Sequence, residues 1–339
     1  MEEKKQIIGK QSILFANPPY IQYSACIAGK KEGEGPLGHM IEEINDDPMF
    51  GMNTWEEAES RLQALTVNKL LKKSNLLSGD IRYIFAGDLL GQLIGTTFGL
   101  MEFEIPVFGL YGACSTMGES MALASMCVNA GYAQRVIALA SSHFAGAEKQ
   151  FRYPLEYGNQ RPLSASWTVT GCGSLIIGSE ESYVKIAGIT TGKVVDYGVK
   201  DSMNMGACMA PAAADLIYAN FMDLDVNADY YDMIITGDLG SVGQKILIEL
   251  LKDKGYDISN KHMDCGIMIF NEETQDTHAG GSGCGCSAVV LCCYILKQLE
   301  KKRWKRVLFV PTGALLSTVS FNEGKSVPGI AHGIILESV

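Results

Sequence analysis

The sequence has few charged residues, and basic residues are the scarcer kind. Charged side chains make up 19% of the 339 residues, and 28 Lys and Arg against 38 Asp and Glu give a formal charge of -10. A chain with 47% hydrophobic residues and so little charge is unlike the polar, charge-rich segments that stay disordered. Its acidic balance repels phosphate backbones, so we expect no nucleic-acid partner.

Long uninterrupted hydrophobic runs are also missing. A bilayer-spanning helix needs about 20 consecutive, mainly apolar residues, whereas the uncharged stretch 278–296 contains a Gly-rich loop. The first residues are charged, and the apolar run after them is broken at Gly9, Lys10 and Gln11, unlike a secretory signal peptide. We therefore expect an intracellular protein whose association with a membrane is peripheral.

The cysteine pattern is not that of a disulfide framework. Ten Cys stand mostly in apolar or Gly-rich surroundings, whereas secreted disulfide scaffolds are short, loop-rich chains. We interpret them as reduced thiols. Cys284 and Cys286 are one residue apart and Cys292 and Cys293 are adjacent, spacings that differ from the pairs typical of zinc sites. The sequence therefore predicts no metal site made by the protein alone.

An internal repeat is present instead. An apolar strand pattern ending in Gly87-Asp88-Leu89 recurs before Gly237-Asp238-Leu239. Further on, Gly112-Ala113-Cys114-Ser115 with its apolar helix and strand is echoed by Gly285-Cys286-Ser287-Ala288 with another such pair. Convergent strand-turn-helix sequences are the alternative to duplication. We predict two similar halves, residues 1–180 and 181–339, in one integrated unit.

Helical and strand patterns alternate in both halves. A helix is predicted over residues 54–73, capped by Asn53 or Thr54, and another over residues 212–221. Near-continuous apolar strands that alternate with helices indicate parallel sheet covered by helices. The predicted fold is α/β, with duplicated halves in five α-β-α-β-α layers and two mixed sheets around shared core helices.

Cys114 is a candidate nucleophile. It follows a buried strand through Gly112 and precedes a helix whose first turn includes Ser115 and Thr116. A helix N-terminus favours the thiolate form of a cysteine, which is the nucleophilic form. A small buried thiol that caps a core helix is the alternative, and the residues alone leave both open.

These features resemble the thiolase fold, which thiolases and ketoacyl synthases share. Within that superfamily, motifs along almost the whole chain are similar to the stage V sporulation protein AD family. The motifs are Gly87-Asp88-Leu89-Leu90, Gly112-Ala113-Cys114-Ser115-Thr116-Met117, Ser141-Ser142-His143, Glu148-Lys149-Gln150-Phe151-Arg152-Tyr153-Pro154, Trp167-Thr168-Val169-Thr170-Gly171, Met209-Ala210-Pro211-Ala212-Ala213, Ala279-Gly280-Gly281-Ser282-Gly283-Cys284 and Ala331-His332-Gly333.

The resemblance implies a non-enzymatic protein that binds dipicolinic acid or its calcium chelate. It also implies a place in the machinery that moves this ligand across the inner membrane of a developing or germinating spore, with that system's integral-membrane proteins as partners. Calcium arriving with dipicolinate is the one cofactor considered, and pairing as a homodimer through the sheet edge beside Cys114 is a further implication. The alternative is a Cys114-dependent acyltransferase or condensing enzyme.

The resemblance also bears on catalysis. Ketoacyl synthases of type III carry a His and an Asn near the nucleophile, and here those places are expected to hold Asp238 and the Gly280-Gly281 region. A carboxylate beside a thiol raises the thiol pKa and repels an oxyanion. We therefore expect decarboxylative condensation to be disfavoured.

A dipicolinate site needs donors for two carboxylates and apolar faces for a ring. The polar, aromatic stretch 148–170 is expected to form a long functional loop. Asp88 and Asp238, at equivalent strand ends, are expected to face one cavity, where they could meet calcium. The candidate ligand residues are Asp88, Cys114, His143, Lys149, Arg152, Tyr153, Arg161, Asp238 and His332. For each, an ordinary structural role as a loop anchor, helix cap or buried His is the alternative.

Overall fold

The computed structural model describes residues 6–151 and 160–339. Its strands are β1 (Ile7–Ile8), β2 (Ser12–Leu14), β3 (Tyr20–Gly29), β4 (Ile44–Asn45), β5 (Ile84–Gly87), β6 (Val107–Gly109), β7 (Arg135–Ser142), β8 (Trp167–Thr168), β9 (Gly171–Gly178), β10 (Val184–Thr191), β11 (Met233–Thr236), β12 (His262–Asp264), β13 (Gly281–Ser282), β14 (Arg306–Val310), β15 (Thr312–Ala314) and β16 (Gly329–Ser338). Its α-helices are α1 (Lys30–Gly33), α2 (Trp55–Ser74), α3 (Ile94–Leu100), α4 (Thr116–Asn129), α5 (Phe144–Phe151), α6 (Met205–Leu224), α7 (Gly240–Lys252), α8 (Cys265–Ile269), α9 (Cys284–Val290), α10 (Leu296–Glu300) and α11 (Thr318–Asn322).

Two sets of strands share one order. The first set runs β6-β5-β7-β9-β3 and the second runs β12-β11-β14-β16-β10. In the first set the pairs β6–β5 and β5–β7 are parallel, and β7–β9 and β9–β3 are antiparallel. The second set repeats this pattern pair for pair. The predicted repeat is therefore confirmed as a duplicated mixed-sheet topology.

The two sets meet at one edge of each. Strands β3 and β10 pair antiparallel over Tyr20 and Ile21, so the two predicted sheets are continuous at this edge. The β1–β2 hairpin pairs with β10, with Leu14 opposite Gly188. Residues 7–14 therefore lie on the second sheet, although they precede the first in sequence.

Three hydrophobic clusters fill the spaces between the layers. The central cluster joins Met117 and Met121 of α4 to Val289 and Val290 of α9, between the two sheets. A second lies between α2 and the first sheet, and a third between α6, α7 and the second sheet. The five-layer prediction is therefore confirmed, because helices cover both outer faces and fill the middle. All ten cysteines are free thiols.

Local sequence signals account for the ends of the outer helices. Thr54 Oγ1 accepts a hydrogen bond from the Glu57 N–H at 3.2 Å, and the Glu57 carboxylate accepts one from the Thr54 N–H at 3.2 Å. This capping box begins α2 where the sequence predicts it. Helix α6 begins earlier than predicted, because the Asn204 side chain caps it by accepting from the Ala207 N–H.

The predicted loop over residues 148–170 is only partly a loop. Its first residues belong to α5 and its end contains β8, which pairs parallel with β13. Arg152 and Tyr153 lie outside the described residues.

Among the helices that are described, none combines the length and hydrophobicity that crossing a bilayer would require.

Candidate ligand site at Cys114

The turn before α4 presents Cys114. Ala113 adopts a positive φ of 50°, and residues Ala113–Ser115 form a single 3-10 turn. The hydroxyls of Ser115 and Thr116 close it by donating to the carbonyls of Gly112 and Ala113, each at 2.7 Å. Gly313 packs against this turn so closely that a Cβ there would lie 2.3 Å from the Gly112 carbonyl oxygen. The backbone therefore fixes the position of the thiol.

Asp238 approaches Cys114 from the second half of the chain. It follows β11 and is buried, and its Oδ2 accepts from Ser282 Oγ at 2.8 Å and from the Gly283 N–H at 2.9 Å. Its Oδ1 accepts from Thr312 Oγ1 at 2.8 Å. The Cys114 thiol also hydrogen-bonds to this carboxylate. The two halves thus meet in a small polar cluster built around one buried acid.

This environment suppresses the thiolate. Burial raises the pKa of the Cys114 thiol well above its ordinary value, and the negative charge of Asp238 raises it further. Of the two interpretations that the sequence leaves open, this environment favours the buried protonated thiol, because desolvation and a like charge oppose the effect of the helix dipole. Burial also raises the pKa of Asp238 to about 6, although its hydrogen bonds oppose this shift.

Ser282 is a site residue that the sequence prediction missed. Its Oγ lies 3.9 Å from Cys114 Sγ, so the residue of the Gly-rich segment that reaches the thiol is Ser282 rather than Gly280 or Gly281. The pairing of β13 with β8 sets its position. The available signal was that Ser282 carries the one polar side chain in the run 279–283.

A small cavity of about 70 Å³ opens beside Cys114. Its lining is apolar or neutral and polar, and within the described part of the chain it includes no Lys, Arg, His, Asp or Glu side chain. The main contributors are Leu89, Tyr111, Cys114, Phe151, Ser166, Thr168, Met203, Ser282 and Leu316. A cavity of this size has room for several water molecules, and a planar aromatic ligand needs its rim to widen.

Asp88 and Asp238 were both expected to face one cavity, but neither side chain lines the cavity at Cys114. Asp88 instead caps the chain after β5. Its carboxylate accepts from the Leu90 N–H at 2.8 Å and from the Thr96 N–H and hydroxyl, both at 2.6 Å. These contacts are those of a buried cap on the turn and helix that follow β5. Burial raises its pKa, and Glu59 of α2 is a buried acid nearby.

The two candidate histidines are buried outside the cavity lining. His143 donates from Nε2 to the Pro48 carbonyl at 2.7 Å and packs against the Trp55 ring. His332 packs near Gly118 of α4, and its Nδ1 has no partner within the described residues. Burial lowers the pKa of His332 to about 4. Neither histidine hydrogen-bonds to Cys114 in the described structure.

The described basic candidates, Lys149 and Arg161, do not line the cavity beside the thiol. Lys149 forms an ion pair with Glu56 of α2. Arg161 donates to the Asp276 carbonyl at 2.7 Å and lies over the Trp167 ring. Because Ser166 and Thr168 line the cavity and side chains alternate along a strand, Trp167 and Arg161 lie on the other side of β8.

The sequence pattern of one protein family extends over nearly all of this structure. The stage V sporulation protein AD family matches residues 9–337. The chain belongs to that family. Stage V sporulation protein AD of Bacillus subtilis (strain 168) is 44% identical over 332 residues, which is 98% of each chain.

Solved structures similar to this family member share its thiolase-like fold at 10% identity. Human mitochondrial 3-ketoacyl-CoA thiolase in complex with CoA has a TM-score of 0.60 over 96% of this chain and 99% of that one. Acat5 thiolase from Ascaris suum in complex with coenzyme A gives 0.58 over 97% and 100%. The 3-oxoacyl-[acyl-carrier-protein] synthase III from Aquifex aeolicus VF5 gives 0.55 over 94% and 99%.

Proposed function

We propose that this member of the sporulation family binds dipicolinate without catalysing a reaction. The observation that carries the proposal is the pairing of Cys114 with Asp238. A thiolase-type reaction needs a thiolate, whereas burial and, after it, the charge of Asp238 raise the pKa of this thiol. The cavity beside it offers neutral polar groups and apolar faces, which suit an aromatic ring flanked by oxygen atoms.

The charge of the cavity favours the calcium chelate over the free dianion. The described lining carries no cation, and the Asp238 carboxylate lies directly behind Cys114 and Ser282. A dianion there would be desolvated beside a like charge, whereas calcium cancels both carboxylates of the ligand. Among the described residues, no group of three or more His, Cys, Asp or Glu could hold a metal. We propose that calcium arrives with the ligand.

The family also bears on location and partners. We propose that the protein acts peripherally at the spore inner membrane, with the integral-membrane proteins of its transport system, in dipicolinate uptake during sporulation and release during germination. This part of the proposal is supported by membership of the sporulation family.

A homodimer through β6 is part of the same proposal. This strand ends the first sheet, and its Val107 and Phe108 side chains are 43% and 50% exposed. Phe98 and Met101 of the adjoining helical segment are 59% and 68% exposed. An unpaired apolar strand edge can pair with its own copy across a two-fold axis. Tyr111, which lines the cavity, lies at the same edge, so pairing would also cover that side of the site.

Calorimetric titration tests the binding proposal. We expect calcium dipicolinate to bind at least tenfold more tightly than dipicolinate in a calcium-free buffer. Ser166→Phe, which fills the cavity, should weaken binding at least tenfold, and Leu163→Phe on an 83% exposed residue should leave it unchanged. Equal affinity for both forms contradicts the charge argument, and no binding of either form contradicts the function.

The alternative is acyl transfer through Cys114, which the fold of the thiolase neighbours favours. Incubation with acyl-coenzyme A followed by intact-mass analysis separates the two functions. We expect no acyl adduct on the protein. An adduct that Cys114→Ser abolishes would establish the enzyme instead.

A further inference from the structure

We propose that Arg161 and Lys31 form a second site, outside the Cys114 cavity, that binds a small oxyanion such as a carboxylate or a phosphate group. The two cations lie over one aromatic ring. Lys31 Nζ is 4.2 Å and Arg161 Cζ is 4.8 Å from the centre of the Trp167 ring. Phe144 stacks on the same ring, with centroids 4.0 Å apart and planes at 8°.

The guanidinium of Arg161 lacks partners for most of its donors. Its side chain is 1% exposed, and Nε and Nη1 are buried with no hydrogen-bond partner in the described structure. Thr277 Oγ1, beside the Asp276 segment to which Arg161 is bonded, is also buried and unpartnered within the described residues. Buried donors without acceptors are rare in folded proteins because each lost hydrogen bond destabilises the fold. The unpartnered groups are therefore donors to which an incoming acceptor can bond.

The positive charges of Arg161 and Lys31 have few close negative partners among the described residues. Arg161 Nη2 reaches the Asp276 carboxylate at 3.3 Å, but this carboxylate is 78% exposed and also contacts His278 at 3.1 Å. Glu32, next to Lys31 in sequence, accepts from the Thr170 N–H at 2.9 Å, and burial raises its pKa to about 7. Burial lowers the pKa of Lys31, the charge of Glu32 opposes this shift, and the charge of Arg161 adds to it. Lys31 Nζ donates a hydrogen bond to the Gln275 carbonyl at 2.5 Å. An added anion would relieve both the repulsion and the missing hydrogen bonds.

An anion from solvent can approach Arg161 beside the exposed Asp276 carboxylate. Its contact with Arg161 Nη2 is long, and most of its surface is in water, so an oxyanion that bonds to the unpartnered Nε or Nη1 competes with only a weak ion pair. The site lies on the far side of β8 from the cavity, because Thr168 of β8 and Ser166 just before it line the cavity, whereas Trp167 contacts the cations. The two sites are therefore separate, and this inference does not depend on dipicolinate binding.

Fluorescence of Trp167 provides the test. In the protein with Trp55→Phe and Trp304→Phe, Trp167 is the one remaining Trp. Titration with sodium phosphate, sodium acetate or sodium pyridine-2,6-dicarboxylate at constant ionic strength should give a saturable change, and the three salts show which oxyanion binds best. Arg161→Gln or Lys31→Gln should weaken anion binding at least tenfold. Lys30→Gln, at an exposed neighbouring position, should leave the affinity unchanged.

Two further variants keep the test decisive if Arg161→Gln fails to fold. Asp276→Asn removes the competing carboxylate from an exposed position and should tighten anion binding severalfold. Ser166→Phe should leave the response unchanged, although it should block the cavity. No saturable change with any salt, weaker binding in Asp276→Asn, or loss of the response in Ser166→Phe would each overturn the proposal.

Discussion

A buried carboxylate lies beside the Cys114 thiol and adds to the effect of burial on the thiol pKa. Asp238 accepts hydrogen bonds from Ser282, Gly283 and Thr312, so it is held in place beside the sulfur. The burial of the sulfur and the charge of Asp238 both oppose ionisation of the thiol. We therefore expect Cys114 to react slowly with electrophiles while Asp238 is charged.

Asp238→Asn should make Cys114 more reactive. The amide keeps hydrogen-bonding capacity toward Ser282 and Thr312 but removes the negative charge that raises the thiol pKa. At pH 8 we expect the rate of alkylation by iodoacetamide to rise at least tenfold, followed by peptide mass analysis at Cys114. Cys127, the other partly exposed cysteine, should be changed to Ala in both proteins. An unchanged rate would show that burial alone sets the pKa.

Glu32 predicts a pH-dependent difference in stability. Burial raises the pKa of Glu32 in the folded state to about 7, so the folded state favours the protonated carboxyl. The folded state therefore loses stability as the pH rises from about 4.5 to 7, where the carboxyl of the unfolded chain is already ionised. The free energy of unfolding of Glu32→Gln relative to wild type should therefore increase by up to about 3 kcal/mol between pH 4.5 and 7.5. Urea unfolding at both pH values measures it. Glu34→Gln, on an exposed neighbour, is the control, and a parallel trend there would contradict the assignment.

At the scale of elements, two glycines let α6 and α7 cross closely. A Cβ on Gly243 would lie 2.8 Å from the Gly206 Cα, and one on Gly206 would lie 2.4 Å from the Leu239 carbonyl oxygen. Helix α7 begins directly after the Asp238 segment, so this crossing supports the second half of the site.

Gly243→Ala should destabilise the fold by about 1–3 kcal/mol, because the added methyl group forces the helices apart. Chemical denaturation provides the measurement. Gly79→Ala serves as the matched control, since a Cβ there would meet nothing within 4 Å. Equal stability of the two variants would mean that the helices move apart without strain.

Elements whose ends depend on neighbouring residues could be predicted from the sequence. The Thr54–Glu57 capping box marked the start of α2, and the repeated Gly-Asp-Leu marked equivalent strands. The contact of Cys114 with Ser282 joins residues 168 positions apart and depends on the short β8–β13 pairing. The side of β8 on which Arg161 lies also depends on tertiary packing. Local sequence patterns therefore could not predict the contact of Cys114 with Ser282 or the position of Arg161.

At the scale of the whole molecule, we propose the outer edge of β6 as the place where a second copy pairs. Its apolar side chains face solvent on a strand that ends the sheet. Val107→Lys should shift the protein from dimer to monomer, because a charge at the pairing edge opposes strand addition. Sedimentation velocity measures this. Val194→Lys, at a 57% exposed position away from the edge, should stay dimeric. A wild-type protein that is monomeric at high concentration would contradict the pairing.

The β1–β2 hairpin imposes an order on assembly during translation. Ser12 bonds to Thr190, a residue made 178 positions later. While the ribosome is still synthesising the first half, the opening segment has no sheet to join, and its strand edge stays bare. Nascent fragments that stop before β10 would therefore expose that edge to one another, which is a known route to aggregation. Once β10 has been made and pairs with the hairpin, that edge is no longer available to other chains.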